Sequence, residues 1–184
     1  MKRKDKSRLK PGVMPDFFSM HVSEARRFYL DLNPSRARPL VVVCGGVEQS
    51  TPAYSIQRGT FPFYSLEYVA RGEGEVVLNG RRYPLQAGSV FSYGPGVPHR
   101  ITGSAHHPLI KYFVDFSGRR AAQLLASCGL TAGRISQVFP PQALASLFEE
   151  MIEGGIRLGP GHRKKQIADG RSDFRESSAA FSDG

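Results

Sequence analysis

The sequence predicts a mainly β domain, a sandwich or small barrel, followed by a small C-terminal helical extension. Three observations carry that class. Residues 37–117 break into short apolar runs separated by glycine-containing turns at regular spacing, the pattern of an antiparallel all-β domain. Asn79-Gly80, between EVVL and RRYPL, is the strongest short-range hairpin signal, since a type I′ turn needs positive φ at both central residues. From residue 121 onward the apolar residues recur at helical spacing instead.

Four segments follow in order. Residues 1–36 read as a basic, proline-interrupted arm: residues 2–10 hold six basic side chains and one acid. Within the arm, VSEARRFYLDL reads as a short helix with Ser23 capping its first turn. Residues 37–117 are the β region. PLVVVCGG is a buried strand ended by its paired glycines, and YSIQR, FPFYSLEYVARG, GEVVLNG, RRYPLQAG, GSVFSY, HRITG and PLIKYFVDF are the strands after it. Residues 118–158 are helical. Ala121, Leu124, Leu125 and Cys128 make one apolar stripe closed by Gly129. Leu144, Leu147, Phe148 and Met151 make a second, after Pro140-Pro141 and before Gly154-Gly155. Either stripe is a packing face, against the outer sheet or against the same helix of a second copy. Residues 159–184 have few large apolar side chains and no period, and read as a disordered tail.

Composition narrows the function classes. The chain has 184 residues, 40% of them hydrophobic, enough for one domain with a buried core. Its net charge of +9 invites nucleic acid as a partner, but much of the excess sits in the terminal arm, and like-charge blocks are usually solvated. Cys44 and Cys128 are far apart in apolar surroundings. They form no disulfide framework and no CxxC metal site, and read as buried small hydrophobes of a reducing compartment. No run approaches the roughly 20 apolar residues of a membrane-spanning helix, and the basic start runs into PGVMPDFF rather than an apolar signal core. The expected location is cytoplasmic.

The candidate site begins on FPFYSLEYVARG. Strand alternation puts Phe61, Phe63, Ser65, Glu67 and Val69 on one face, with Glu67 the odd carboxylate in an apolar row. It is either a strand residue near a wet barrel mouth or a polar anchor for a ligand. GSVFSYGPGVPHRI then delivers His99 from a loop rich in glycine and proline. The glycines of GEGE and YGPG match no phosphate-binding loop.

Gly88, five residues, then GPGVPH resembles the second motif of the cupins, with Gly94 where proline is usual. Glu67 and Gly74 match the glutamate–glycine spacing of their first motif, whose two histidine positions are Phe61 and Phe63 here. Of four metal-binding positions only Glu67 and His99 remain, too few donors for a stable transition-metal site. His106 and His107 lie in a loop without the required strand geometry. No metal and no cofactor are therefore expected, and the two phenyl rings imply an apolar cavity suited to an organic molecule.

The segments FPFYSLEYVARGEGEVVLNGRRYPLQAGSVFSYGPGVPHRI and IKYFVDFSGRRAAQLLASCGL resemble more closely the effector-binding and dimerisation domain of AraC-type transcription regulators. That resemblance covers roughly residues 40–155. It implies a metal-free cupin-like barrel that binds a small-molecule effector and helices that make a homodimer. It also implies DNA binding through a C-terminal half that the sequence after residue 159 does not contain, with weak nucleic-acid contact through the basic arm as an alternative. On this reading Phe61, Phe63, Glu67, His99 and Tyr112 line the effector cavity, and Leu144, Leu147, Phe148 and Met151 form the dimer seam. The chain is not expected to be an enzyme. The opposing alternative is a cupin-fold enzyme, an isomerase or oxygenase, working through Glu67 and His99.

Overall fold

The computed structural model describes residues 18–159. The basic run of residues 2–10 and all but the first residue of the expected tail lie outside the described residues. In chain order the elements are β1 (Val22–Tyr29), β2 (Val41–Ser50), β3 (Ser55–Arg58), β4 (Tyr64–Arg71), β5 (Gly74–Leu78), β6 (Arg81–Leu85), β7 (Ser89–Tyr93), β8 (His99–Gly103), β9 (Ile110–Ser117), α1 (Ala121–Ser127), β10 (Ile135–Gln137) and α2 (Ala145–Leu158).

Every strand pair is antiparallel. Six strands form one sheet in the order β1-β2-β9-β4-β7-β10, and four form the other in the order β3-β8-β5-β6. Val43, Phe91 and Phe113 of the larger sheet share one buried core with Val76, Leu78 and Ile101 of the smaller. The two inner faces therefore enclose a barrel-like interior, as the mainly β, cupin-like reading requires. Asn79 (φ 50°) and Gly80 (φ 78°) make the β5–β6 turn with both residues in the left-handed region.

The segment read as a helix capped by Ser23 is instead the edge strand β1, and the Ser23 hydroxyl donates across to the Gln49 carbonyl at 3.4 Å. Tertiary context overrides local propensity here. Gly45 and Gly46 do not end β2, which runs on to Ser50. They make room for β1: a Cβ on Gly45 would meet the Phe28 ring at 2.8 Å, and one on Gly46 would meet Arg27 at 3.0 Å. The paired glycines are the slot into which Phe28 and Arg27 fit, so they select a strand partner rather than a turn.

The helical region also differs in detail. α1 buries Ala121 and Leu125, while Leu124 is 44% exposed and Cys128 is exposed rather than buried. Gly129 takes positive φ just past the helix end, as expected. β10, absent from the sequence reading, pairs with β7. α2 continues through Gly154 and Gly155 to Leu158, because Gly155 faces the Phe28 ring, where a Cβ would lie 2.3 Å from its atoms. Phe148 and Ile152 bury against Tyr68 and Tyr112 on the outer face of the larger sheet, so Phe148 belongs to this packing and not to an open seam.

Phe28 is thus held between Gly45 and Gly155. Gly155→Ala is expected to lower the unfolding free energy by about 1–2 kcal/mol, overpacking outweighing the gain in helix propensity. Gly154→Ala, where a Cβ meets nothing of the same chain within 4 Å, serves as the control and, at concentrations that keep the chain monomeric, should raise it by up to about 1 kcal/mol. Urea denaturation of both variants checks the contrast.

Candidate functional site

Alternation on three strands fills the interior with polar groups. Ser65 and Glu67 of β4, Lys111, Phe113 and Asp115 of β9, and Glu48 of β2 all lie on the inner side, each at most 4% exposed. Tyr68 and Tyr112, one residue along, lie on the outer side against α2. Cross-strand register places Glu48 opposite Lys111, and Ser65 opposite Asp115.

The Lys111 ammonium lies 2.8 Å from Glu67 Oε2 and 3.4 Å from Glu48 Oε2. It also lies over the Phe113 and Tyr54 rings, 5.4 and 5.7 Å from their centroids. Burial alone would pull the Lys111 amine down; Glu67, Tyr54, Glu48 and Tyr93 together hold it well above the ordinary lysine value. The Arg27 Nε donates to Glu48 Oε1 at 2.8 Å. The Tyr93 hydroxyl donates to Glu67 Oε1 at 2.6 Å, and burial followed by the Glu67 charge pushes this phenol up.

His99 enters from the loop between β7 and β8. Gly96 takes φ 84° and Val97 N–H donates to the Gly94 carbonyl, a tight turn that sets His99 as the first residue of β8. Its ring stacks on Tyr93 with centroids 3.8 Å apart and meets the Phe61 ring edge-on. The Nδ1 lies 3.1 Å from the Val97 carbonyl. A carbonyl only accepts, so Nδ1 carries the proton and Nε2 is an acceptor. Nε2 is buried and has no protein hydrogen-bond partner. Burial holds His99 below the ordinary histidine value, so the ring is neutral near pH 7.

Asp115 is the third carboxyl of the interior. Cys44 Sγ donates to its Oδ2 at 3.3 Å, and burial pushes the Cys44 thiol up, which keeps it protonated. Burial, aided by the Glu67 charge, raises Asp115 to about 7 against the opposing effect of the neighbouring Ser65 hydroxyl and Cys44 thiol.

These groups surround a cavity of about 20 Å³, room for about one water. Phe18, Phe61, Tyr93 and Phe113 form its aromatic walls, and Arg58, Glu48, Glu67, Lys111 and Asp115 its polar ones. The expected apolar, phenylalanine-lined interior is corrected: a charged cluster makes up half of the wall. Of the predicted residues, Phe61 and Glu67 line the cavity. Phe63 packs edge-on against Phe61, and His99 stands behind Tyr93 and Phe61. Tyr112 does not join them. It lies on the outer face, stacked near Tyr68 and Phe148, and its hydroxyl donates to Glu149 Oε1 at 2.7 Å.

Sequence reasoning missed Glu48, Lys111, Asp115 and Tyr93. A signal was present for the pair on β9: Lys111 and Asp115 flank Phe113 at steps of two in an otherwise apolar strand, which puts both charges on one face.

The arrangement does not fit a cupin metal. Two of the four ligand positions are the phenyl rings of Phe61 and Phe63, and the Glu67 carboxylate is held by an ammonium and a phenol. Among the described residues no group of three or more His, Cys, Asp or Glu side chains is placed to hold a metal ion. No helix among them is long and apolar enough to cross a membrane.

Two facing antiparallel sheets around an inward polar cluster define a barrel of the cupin type. The chain belongs to the family of AraC-like ligand binding domains, whose pattern matches residues 42–181. No curated protein matches it in sequence. Solved structures similar to it include a Cupin 2 conserved barrel domain protein from Salinispora arenicola (20% identity, TM-score 0.39, covering 70% of this chain and 96% of that one). The protein YhaK from Escherichia coli is similar at 17% identity and TM-score 0.43, over 53% of this chain and 46% of that one. A predicted oxalate decarboxylase from Thermotoga maritima is similar at 23% identity and TM-score 0.38, over 40% of this chain and 65% of that one.

The Asp115 carboxyl titrates near 3.9 in an unfolded chain and about 7 in the fold. The folded state therefore holds this proton more tightly. The stability it confers is full below about pH 4 and is lost as the pH rises to about 7. Between about pH 5 and pH 7 the urea midpoint of the native protein should fall relative to that of Asp115→Asn. Parallel pH profiles for the two proteins would show that Asp115 does not bind this proton.

Proposed function

We propose that the chain is the effector-sensing and dimerisation part of an AraC-type transcription regulator, binding a small organic molecule in the barrel and catalysing no reaction. The observation that carries this reading is the interior: the rings of Phe18, Phe61, Tyr93 and Phe113 face the polar side chains of Glu48, Arg58, Glu67, Lys111 and Asp115 around one cavity. Such a mixture suits recognition of a molecule with an apolar body and hydrogen-bonding substituents. The family match supports the same reading.

The cavity as it stands holds about one water, so an effector opens it on entry. Phe18 and Ser19, just ahead of β1, are part of the wall and belong to no strand, which makes them the part that gives. Among the described residues α1 and α2 are separated by β10, so no helix-turn-helix forms there, and sequence-specific DNA contact is assigned to another part of the regulator.

Homodimerisation is assigned to the outward side of α2. Phe148 is committed to the sheet, and Leu144 and Met151 pack partly against the same cluster. Leu147 is 59% exposed and Leu158 57% exposed; with Met151 and Gly154 they recur at helical spacing on one side. Gly154 leaves open space for a close approach. The seam is thus Leu147, Met151, Gly154 and Leu158. The native chain is expected to run as a dimer in light scattering, and Leu147→Glu as a folded monomer; an unchanged mass for Leu147→Glu would remove α2 from the interface.

A thermal-shift screen of small metabolites tests the sensing reading directly. A true effector at about 100 times its Kd should raise the melting temperature by roughly 5–10 °C, with the shift lost in Glu67→Ala and His99→Ala. A shift that survives both substitutions would move the site out of the barrel.

A further inference from the structure

The barrel interior and helix α2 grip the same two strands from opposite sides. On the inner side, Glu48 of β2 takes Arg27 of β1 through Oε1 at 2.8 Å and Lys111 of β9 through Oε2 at 3.4 Å. On the outer side, Glu149 of α2 pairs with Arg26 of β1 through Oε2 and accepts the Tyr112 hydroxyl of β9 through Oε1 at 2.7 Å. Arg26 and Arg27 are neighbours, as are Lys111 and Tyr112. Strand alternation sends one member of each pair to the cavity and the other to the helix. Arg26, Val47 and Tyr112 lie in register across the three strands, and so do Ala25, Glu48 and Lys111 in the adjacent row.

We propose that Glu149 is the residue through which α2 reads the charge state of the barrel, with the dipeptides Arg26-Arg27 and Lys111-Tyr112 as the two links. This rests on the sensing reading for its purpose and on the geometry alone for its mechanism. A ligand that recruits Lys111 or Arg27, or that replaces Glu48 as their partner, changes how β1 and β9 are drawn together on the inside. Each inward side chain shares its backbone with an outward one, so the separation of Arg26 and Tyr112 changes with it. Glu149 needs both at once, one on each oxygen. Phe28 reinforces the link, because its ring lies between Gly45 of β2 and Gly155 of α2 and leaves the helix little freedom to slide over β1. α2 carries the outward apolar stripe, so its seating is a quantity that a dimer interface can sense.

Removal of the Glu48 charge is the probe, since it mimics loss of the inner grip without any ligand. Hydrogen–deuterium exchange is measured on the full chain at fixed protein concentration for peptides spanning residues 145–158, in the native protein, Glu48→Gln, Glu149→Gln and the double variant. Glu48→Gln is expected to speed exchange in α2 about fivefold, the low end of typical coupling between sites. In the Glu149→Gln background the same substitution should add nothing in α2 while still loosening β1 and β9. Equal increments in both backgrounds, or no response of α2 to Glu48→Gln, would overturn the proposal. If Glu48→Gln does not fold, Arg27→Gln breaks the same grip from the β1 side, where the side chain keeps 10% exposure, and the same outcomes decide. Loss of this coupling would leave any effector binding in the barrel intact, and a barrel that binds no effector would still show it.

Discussion

One buried ammonium organises the interior of this barrel. Lys111 is 3% exposed, and a lysine taken out of water without partners loses several kcal/mol of hydration and gives up its proton instead. Here Glu67 and Glu48 stand on two sides of it and two aromatic rings below it, so it stays charged. The order of the remaining groups follows from that. Because Lys111 holds one oxygen of Glu67, the other is aimed at the Tyr93 hydroxyl. Tyr93, held by that bond, offers its ring face to His99. His99 is left with Nδ1 on a backbone carbonyl and a buried Nε2 without a protein hydrogen-bond partner. Each contact in this series shares a side chain with the next.

The ammonium also explains why the barrel departs from the chemistry its motifs suggest. In a metal-binding barrel of this type the glutamate and the loop histidine would meet around a cation. In this chain the cation over Glu67 is supplied by β9, and the two remaining positions are phenyl rings that pack on each other and on Tyr93. The site uses Glu67 for an ion pair and a hydrogen bond instead of coordination. The rings of Phe18, Phe61 and Phe113 already carry Arg27, Arg58 and Lys111 over their faces, so the aromatic surfaces are no vacant cage for a cationic ligand. Hydrogen-bond direction is what the interior has left to offer.

Much of this could be read from the sequence, for local reasons. Asn79-Gly80, Gly88 and Gly96 impose backbone conformations that only turns use, so the hairpins and the loop delivering His99 were legible without any tertiary information. The spacing of Glu67 and His99 was legible through the resemblance to the cupin motifs. The errors share a different cause. VSEARRFY contains no residue that forbids a helix, and only the missing side chains of Gly45 and Gly46, some twenty positions later, make it a strand. Tyr112 was assigned to the cavity although its neighbours Lys111 and Phe113 occupy the inner face, which alternation alone excludes. Glu48 gives no such signal, because a single charge in an apolar run becomes informative only once its cross-strand partner is known. Period and turn chemistry are local, and partnership is not.

The larger sheet departs from the usual soluble antiparallel sheet, which buries an apolar face and wets a polar one. Both of its faces are buried, and its inner face mixes charged side chains with core residues such as Val43, Phe91 and Phe113. Its inner face carries Glu48, Glu67, Lys111 and Asp115, while its outer face presents Phe28, Tyr68, Val90 and Tyr112. An outer face of that kind is a large apolar patch unless something covers it. α2 covers it: Phe148 stacks near Tyr68 and Tyr112, and Ile152 is fully buried behind them. The Tyr68 hydroxyl donates to the Pro141 carbonyl and fastens the segment leading into the helix. The helix is therefore part of the fold that makes a charged interior possible, and residue 118 divides two regions of sequence character, not two folding units. The apolar outer face of this sheet needs a coat, and in this chain the coat, α2, is also an element that faces outward.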